Sequence, residues 1–126
     1  MSRKPETVRN ASKWLVIFAT GLIVVSFFPL TWKVRIGTHG PLHLKLHFAA
    51  FAVFGMLAYA SANDLPSRVV RATALVLVAA FLEMMQWLIF GNDFELIDLK
   101  VDAAGAIVAL FLSHSLAVAK RLTSRQ

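Results

Sequence analysis

The sequence contains no cysteine, which excludes disulfide staples and thiolate metal centres. Acids are scarce, seven against thirteen lysines and arginines, and charged residues amount to 16% of the chain where about 25% is usual in a soluble domain. A water-facing exterior cannot be assembled from so small a polar share. No Ser/Gly-rich linker, low-complexity tract or internal repeat divides the chain, so a single unit over residues 1–126 is expected. No nucleophile motif and no paired-histidine metal motif is assigned, and neither a metal nor another cofactor is expected.

What the chain has in abundance is apolar surface: 58% of its residues are hydrophobic. The net charge of +6 could point to nucleic acid, but the basic residues sit in short clusters between apolar runs rather than along one polar face, so no nucleic-acid partner is expected. A spanning helix needs about 20 mostly apolar residues. Four stretches qualify, at about 14–30, 46–62, 69–90 and 101–119, and the expected fold is all-α, an integral membrane four-helix bundle with the lipid bilayer as its first partner. Trp14 and Trp32 bracket the first stretch at headgroup level and Pro29 helps to end it. Asn63, Asp64 and Pro66 stop the second, Gly91 and Asn92 close the third, and Lys120, Arg121 and Arg125 follow the fourth. The first stretch is too long for a signal-peptide core and lacks a small-x-small cleavage site at Phe28-Pro29-Leu30, so it is expected to be retained.

Four crossings put both termini and the second loop on one side. That side carries nine basic residues (Arg3, Lys4, Arg9, Lys13, Arg68, Arg71, Lys120, Arg121 and Arg125), the other only Lys33, Arg35, Lys45 and Lys100. The positive-inside rule then predicts a cell-membrane protein with cytoplasmic termini, Arg68 and Arg71 acting as anchors that snorkel to headgroups. Five of the seven acids, Glu83, Asp93, Glu95, Asp98 and Asp102, gather in or near the third loop, on the outward side.

An ionisable residue near the centre of a spanning helix costs about 2.5 to 3.5 kcal/mol on insertion scales, so it needs a partner or a task. Glu83 lies seven residues before Phe90, roughly 10 Å from the helix end at about 1.5 Å per residue. Gln86 shares its face at i+3. The blander reading of this pair is a hydrogen-bond clamp to Thr20, Ser26 or His47. Asp98 and Asp102 are four residues apart; the blander reading has Asp98 capping the fourth helix and Asp102 in its first turn, where the dipole favours an anion. Gly105, Ala109 and Ser113 form a small-residue stripe that lets a helix approach closely, within the bundle or between copies of a homo-oligomer. His47, Glu83, Gln86, Asp98 and Asp102 are expected to converge in the outward third of the bundle. His39 and His43 are assigned to the first loop, and His114 to the cytoplasmic interface without chemistry.

These residues carry a resemblance. His47-Phe48 at a helix start, then Glu83-x-x-Gln86, Asp98 and Gly105 in order and spacing, resemble the VanZ-like family of small membrane proteins, from His43 to the end of the fourth helix. The family's Asp-Lys before His-Phe falls on His43 and Leu44, its Arg on Asn92 and its Asn on Asp102, which makes this site more acidic. The resemblance implies an envelope protein associated, in some members, with resistance to teicoplanin-type glycopeptides, with an outward polar site for a lipid-linked ligand or a membrane-protein partner. Two other classes stand beside it. One is a membrane-embedded enzyme using Glu83 and His47 as acid and base on a lipid headgroup; there His47 and the carboxylates could also hold Mg or Ca, from ligands scattered over three helices. The other is a transporter or small channel assembled through the Gly105 stripe.

Overall fold

The computed structural model describes residues 5–28, 30–35, 42–91 and 95–124, in which five helices and no strands occur. They are α1 (Pro5–Ser26), α2 (Leu30–Arg35), α3 (His43–Ala60), α4 (Leu65–Phe90) and α5 (Leu96–Thr123). All but the short α2 are long and apolar enough to cross a membrane, as expected of a multi-pass membrane protein. Each is longer at one or both ends than its apolar run: α1 starts nine residues before Trp14, with Pro5 in the first turn where a missing N–H costs nothing, and α3 begins at His43 rather than Leu46. The expected stop at Pro29 lies outside the described residues, while Asn92 and Asp93 of the third loop lie outside them as well.

Local chemistry sets the remaining ends. Asp64 caps α4, its carboxylate accepting from the backbone N–H of Ser67 at 2.8 Å, and those bonds hold its carboxyl below the usual carboxylate range. Gly91 ends α4 in the left-handed conformation, φ 67°, which glycine adopts without strain, and its N–H returns to the carbonyl of Trp87. Arg68 departs from the snorkelling expectation. It is buried, donates from Nε to the carbonyl of Ala62 and from Nη2 to that of Asn63, both at 3.1 Å, and lies 3.9 Å from the centre of the Tyr59 ring. The guanidinium thus satisfies carbonyls just past the end of α3 and clamps the turn into α4. Arg71 reaches across to Ser12 of α1 at 3.3 Å.

The core is built from small residues, with the large ones outside. Ala58, Ala72, Ala79, Ala106 and Ala109 are buried, whereas Ile17, Leu77, Leu88, Ile107 and Phe111 are exposed. Lipid tails are as apolar as leucine, so burying leucine between helices gains little and close backbone approach gains more. Phe51, Phe54, Tyr59 and Leu82 are large exceptions, and Phe51 and Phe54 of α3 pack with Ala79 against Leu15, Ala19 and Leu22 of α1. The most extensive contact joins α3 to α5, which run parallel because each starts from the same end of the bundle.

That contact depends on two glycines. A Cβ on Gly105 would lie 2.5 Å from the carbonyl oxygen of Phe48, and one on Gly55 would lie 2.6 Å from that of Ala106. Gly105 and Ala109, expected to serve either the bundle or an oligomer, are buried against α3 within one chain. Gly105→Ala is therefore expected to destabilise the bundle by about 1 to 3 kcal/mol through overpacking. Gly21→Ala, where nothing lies within 4 Å, is expected to be neutral or slightly stabilising. Reversible unfolding in mixed micelles measures both, and equal effects at the two positions would contradict the packing account.

Candidate functional site

The α3–α5 pair keeps one register, in which residue i of α3 faces i + 55 of α5. His43 Nε2 lies 2.7 Å from Asp98 Oδ2, and His47 Nδ1 lies 2.8 Å from Asp102 Oδ1. The same offset places the Tyr59 ring edge-on to His114 at 6.4 Å. Two histidines on successive turns of one helix thus meet two aspartates on successive turns of the other, as the i, i+4 spacing of each pair requires. The imidazole centroids of His43 and His47 are 4.5 Å apart.

The cluster sits at the end of the bundle where α3 and α5 begin and where α1 and α4 finish, away from both chain termini. Both aspartates are 1% exposed, and the histidine side chains remain 22% to 24% exposed, so the imidazoles line the accessible side. His47 Nε2 is 3.8 Å from Asp98 Oδ2, so Asp98 faces both rings. Among the described residues, Asp98 Oδ1 is buried with no hydrogen-bond partner. Glu95 Oε2 comes to 4.0 Å from His43 Nε2.

α4 and α2 supply the flank. Lys33 Nζ donates to Gln86 Oε1 at 2.7 Å, closing a bond between α2 and buried Gln86. Burial holds the Lys33 ammonium below its ordinary pKa, with the charge of Glu83 opposing that shift. Glu83 is half-buried, within electrostatic range of His47, Asp98 and Glu95. His47, Glu83, Asp98 and Asp102 therefore share one neighbourhood, and Gln86 is tied to it through Lys33 and the turn it shares with Glu83.

Three sequence expectations change here. Asp98 does not cap its helix: Glu95 holds the N-cap position, Asp98 is the third helical residue, and its carboxylate is committed to His43. Asp102 lies in the second turn and binds His47 rather than stabilising the first. His43 is the first residue of α3 and not a loop residue, so the chain does contain a helical His-x-x-x-His pair that the sequence reading passed over. The signal was present in Pro41, which marks a helix start just beyond it. Ser26 is not the clamp for Glu83 or Gln86, since its hydroxyl donates to the carbonyl of Leu22 in its own helix. His39 and Asn92 lie outside the described residues.

In chemical terms the cluster offers two imidazoles, up to four carboxylates and one ammonium. His43, His47 and Asp98 can each turn one ligand atom to positions within 4.8 Å of one another, the spacing of a cation site. A separate groove of about 510 Å³ between α4 and α5, lined by Val69, Val76, Ile107 and Phe111 among others, is mainly apolar and holds none of these groups. No family model, curated protein or solved structure matches the chain.

The His47–Asp102 bond joins α3 to α5 and is expected to couple them by about 1 to 2 kcal/mol. A double-mutant cycle of His47→Ala and Asp102→Ala, followed by unfolding in mixed micelles, reads this directly. Strictly additive single substitutions would mean that the 2.8 Å contact contributes no stability.

Proposed function

We propose that this chain is a VanZ-like protein of the cell envelope, lying in the cell membrane with both termini cytoplasmic, whose outward polar site binds a lipid-linked ligand or a membrane-protein partner. One observation carries the reading. Lys33, His43, His47, Glu83, Gln86, Asp98 and Asp102, drawn from four helices, gather at one end of a bundle whose four long helices are otherwise mainly apolar, with Arg68 and Arg71 toward the opposite end. Ionisable groups buried between spanning helices are expensive and default toward function, and donors and acceptors of both charges suit a zwitterionic headgroup. The resemblance at His47-Phe48, Glu83-x-x-Gln86, Asp98 and Gly105 supplies the envelope role and the association with teicoplanin-type resistance. Its Asp102 departure carries a physical rationale, since an aspartate in place of asparagine makes the stronger, charge-assisted partner for His47.

A second reading is favoured by that same contact. A carboxylate that fixes the tautomer of an imidazole is the arrangement of a general base, so a membrane-embedded enzyme acting on a lipid headgroup, with His47 and Glu83 as acid and base, stands as the alternative.

Orientation is tested cleanly because the chain has no native cysteine. Thr31→Cys is expected to react with a membrane-impermeant maleimide in intact cells, and Thr123→Cys only after permeabilisation; the reverse pattern would invert the topology. For function, the wild type, Glu83→Gln and His47→Ala are expressed at matched abundance in a glycopeptide-sensitive host. The wild type is expected to lower teicoplanin susceptibility and both variants to lose most of that protection. Protection equal to empty vector in all three removes the resistance role. A change in headgroup composition of extracted lipids that needs His47 would move the assignment to the enzyme.

A further inference from the structure

Bringing two imidazoles and two buried carboxylates together in a low-dielectric site with one unsatisfied oxygen is costly unless something bridges them. We propose that His43, His47 and Asp98 form a binding site for a divalent cation of the zinc class, with Asp102 orienting His47 from behind. The inference stands on the geometry of the cluster alone and does not depend on the envelope reading.

Four features converge on it. First, a zinc ion bound at about 2.0 to 2.1 Å by tetrahedral ligands sets neighbouring ligand atoms roughly 3.3 Å apart. The observed separations from Asp98 Oδ2 to His43 Nε2 and to His47 Nε2, 2.7 and 3.8 Å, bracket that value, and one ligand atom from each of the three residues lies within 4.8 Å of the others, close enough for a cation to draw them together. Second, His47 has its Nδ1 against the Asp102 carboxylate at 2.8 Å. Asp102 accepts from Nδ1–H, which leaves the Nε2 lone pair directed at the same space as Asp98; a carboxylate behind a ligating histidine is the usual support of such sites. Third, Asp98 is 1% exposed and its Oδ1 has no hydrogen-bond partner among the described residues, an acceptor that a cation seated against Oδ2 would satisfy where the carboxylate binds it through both oxygens. Fourth, the carboxylates of Asp98, Asp102, Glu83 and Glu95 gather around the two imidazoles, where Asp98, Glu95 and Lys33 all act on Glu83, and a divalent ion offsets part of that concentrated negative charge.

The donor set selects the metal. Two imidazole nitrogens with one carboxylate suit zinc and its first-row neighbours, whereas magnesium and calcium require predominantly oxygen donors. Three protein ligands leave a fourth position for water, and the partial exposure of both imidazoles puts that position on the accessible side of the cluster.

The test uses the full, untagged chain, purified in detergent and stripped with a chelator. Titration with Co²⁺ alone is expected to produce the visible d–d bands of a low-coordinate N/O site, saturating at one ion per chain, erased by Zn²⁺ and unaffected by Mg²⁺ or Ca²⁺. His43→Ala, His47→Ala and Asp98→Asn are each expected to weaken binding more than tenfold. Asp102→Asn is expected to weaken it by roughly 10- to 100-fold while keeping the band, the size of effect such supporting carboxylates have. His114→Ala, at the other end of the bundle, leaves it unchanged. Zn²⁺ is expected to raise the melting temperature of the wild type but not of His43→Ala. Absence of both the Co²⁺ band and the Zn²⁺ shift in helical wild-type protein overturns the proposal and leaves two direct His–Asp ion pairs. So does binding that survives His43→Ala and Asp98→Asn. Where a variant does not fold, the wild-type titration and its selectivity against Mg²⁺ decide. A site that binds Zn²⁺ in a chain without effect on teicoplanin susceptibility removes the envelope role and leaves the metal in place.

Discussion

The close parallel approach of α3 and α5 governs the rest of the molecule. Glycine at positions 55 and 105 lets each helix backbone rest on the other, at distances that leave no room for a methyl group. Once that contact is made, the 55-residue register follows along its whole length, from His43 and Asp98 at one end to Tyr59 and His114 at the other. The polar pairs are thus held by packing that lies deeper in the bundle than they do. A membrane interior rewards this division of labour, because van der Waals contact between backbones must supply what hydrophobic burial supplies in water.

Much of the architecture was legible in the sequence. Four apolar runs, the Asp64 and Gly91 boundaries and the small-residue stripe at Gly105 and Ala109 all reflect local rules of propensity and hydropathy, and the four long helices occur on those runs, although α1 ends at Ser26, short of the expected 30, and the short α2 was not expected. The errors have a common source. Hydropathy locates the stretch of a helix that lies in hydrocarbon, and the polar turns that continue it toward the headgroups are invisible to it. His43 and Lys45 lowered the apolar score of the first turn of α3, so the helix start was drawn at Leu46 and half of the histidine pair was assigned to a loop. Pro5 to Lys13 extended α1 in the same way.

Pairing was the second kind of information that the one-dimensional pattern did not hold. Spacing alone brought Asp98 and Asp102 to one face and suggested a cap, because capping is the local use of an aspartate near a helix start. Two histidines on α3 took one carboxylate each instead, since a charge-assisted contact between packed helices outweighs a solvent-replaceable cap. Arg68 shows the same competition from the other side. Its charge reads as a topological marker, yet the carbonyls past the end of α3 and the face of Tyr59 lie closer than any headgroup and draw it inward.

The 55-residue register also carries a temporal meaning. Synthesis proceeds from the N-terminus, so α3 is made well before α5, with all of α4 between them. During that interval the Asp98 and Asp102 carboxylates that meet the two histidines, and the backbone that fills the notch at Gly55, have not yet been made. The α3–α5 contact therefore forms only after Leu96 to Thr123 have been made, and until then the His43 and His47 face of α3 waits for its carboxylates.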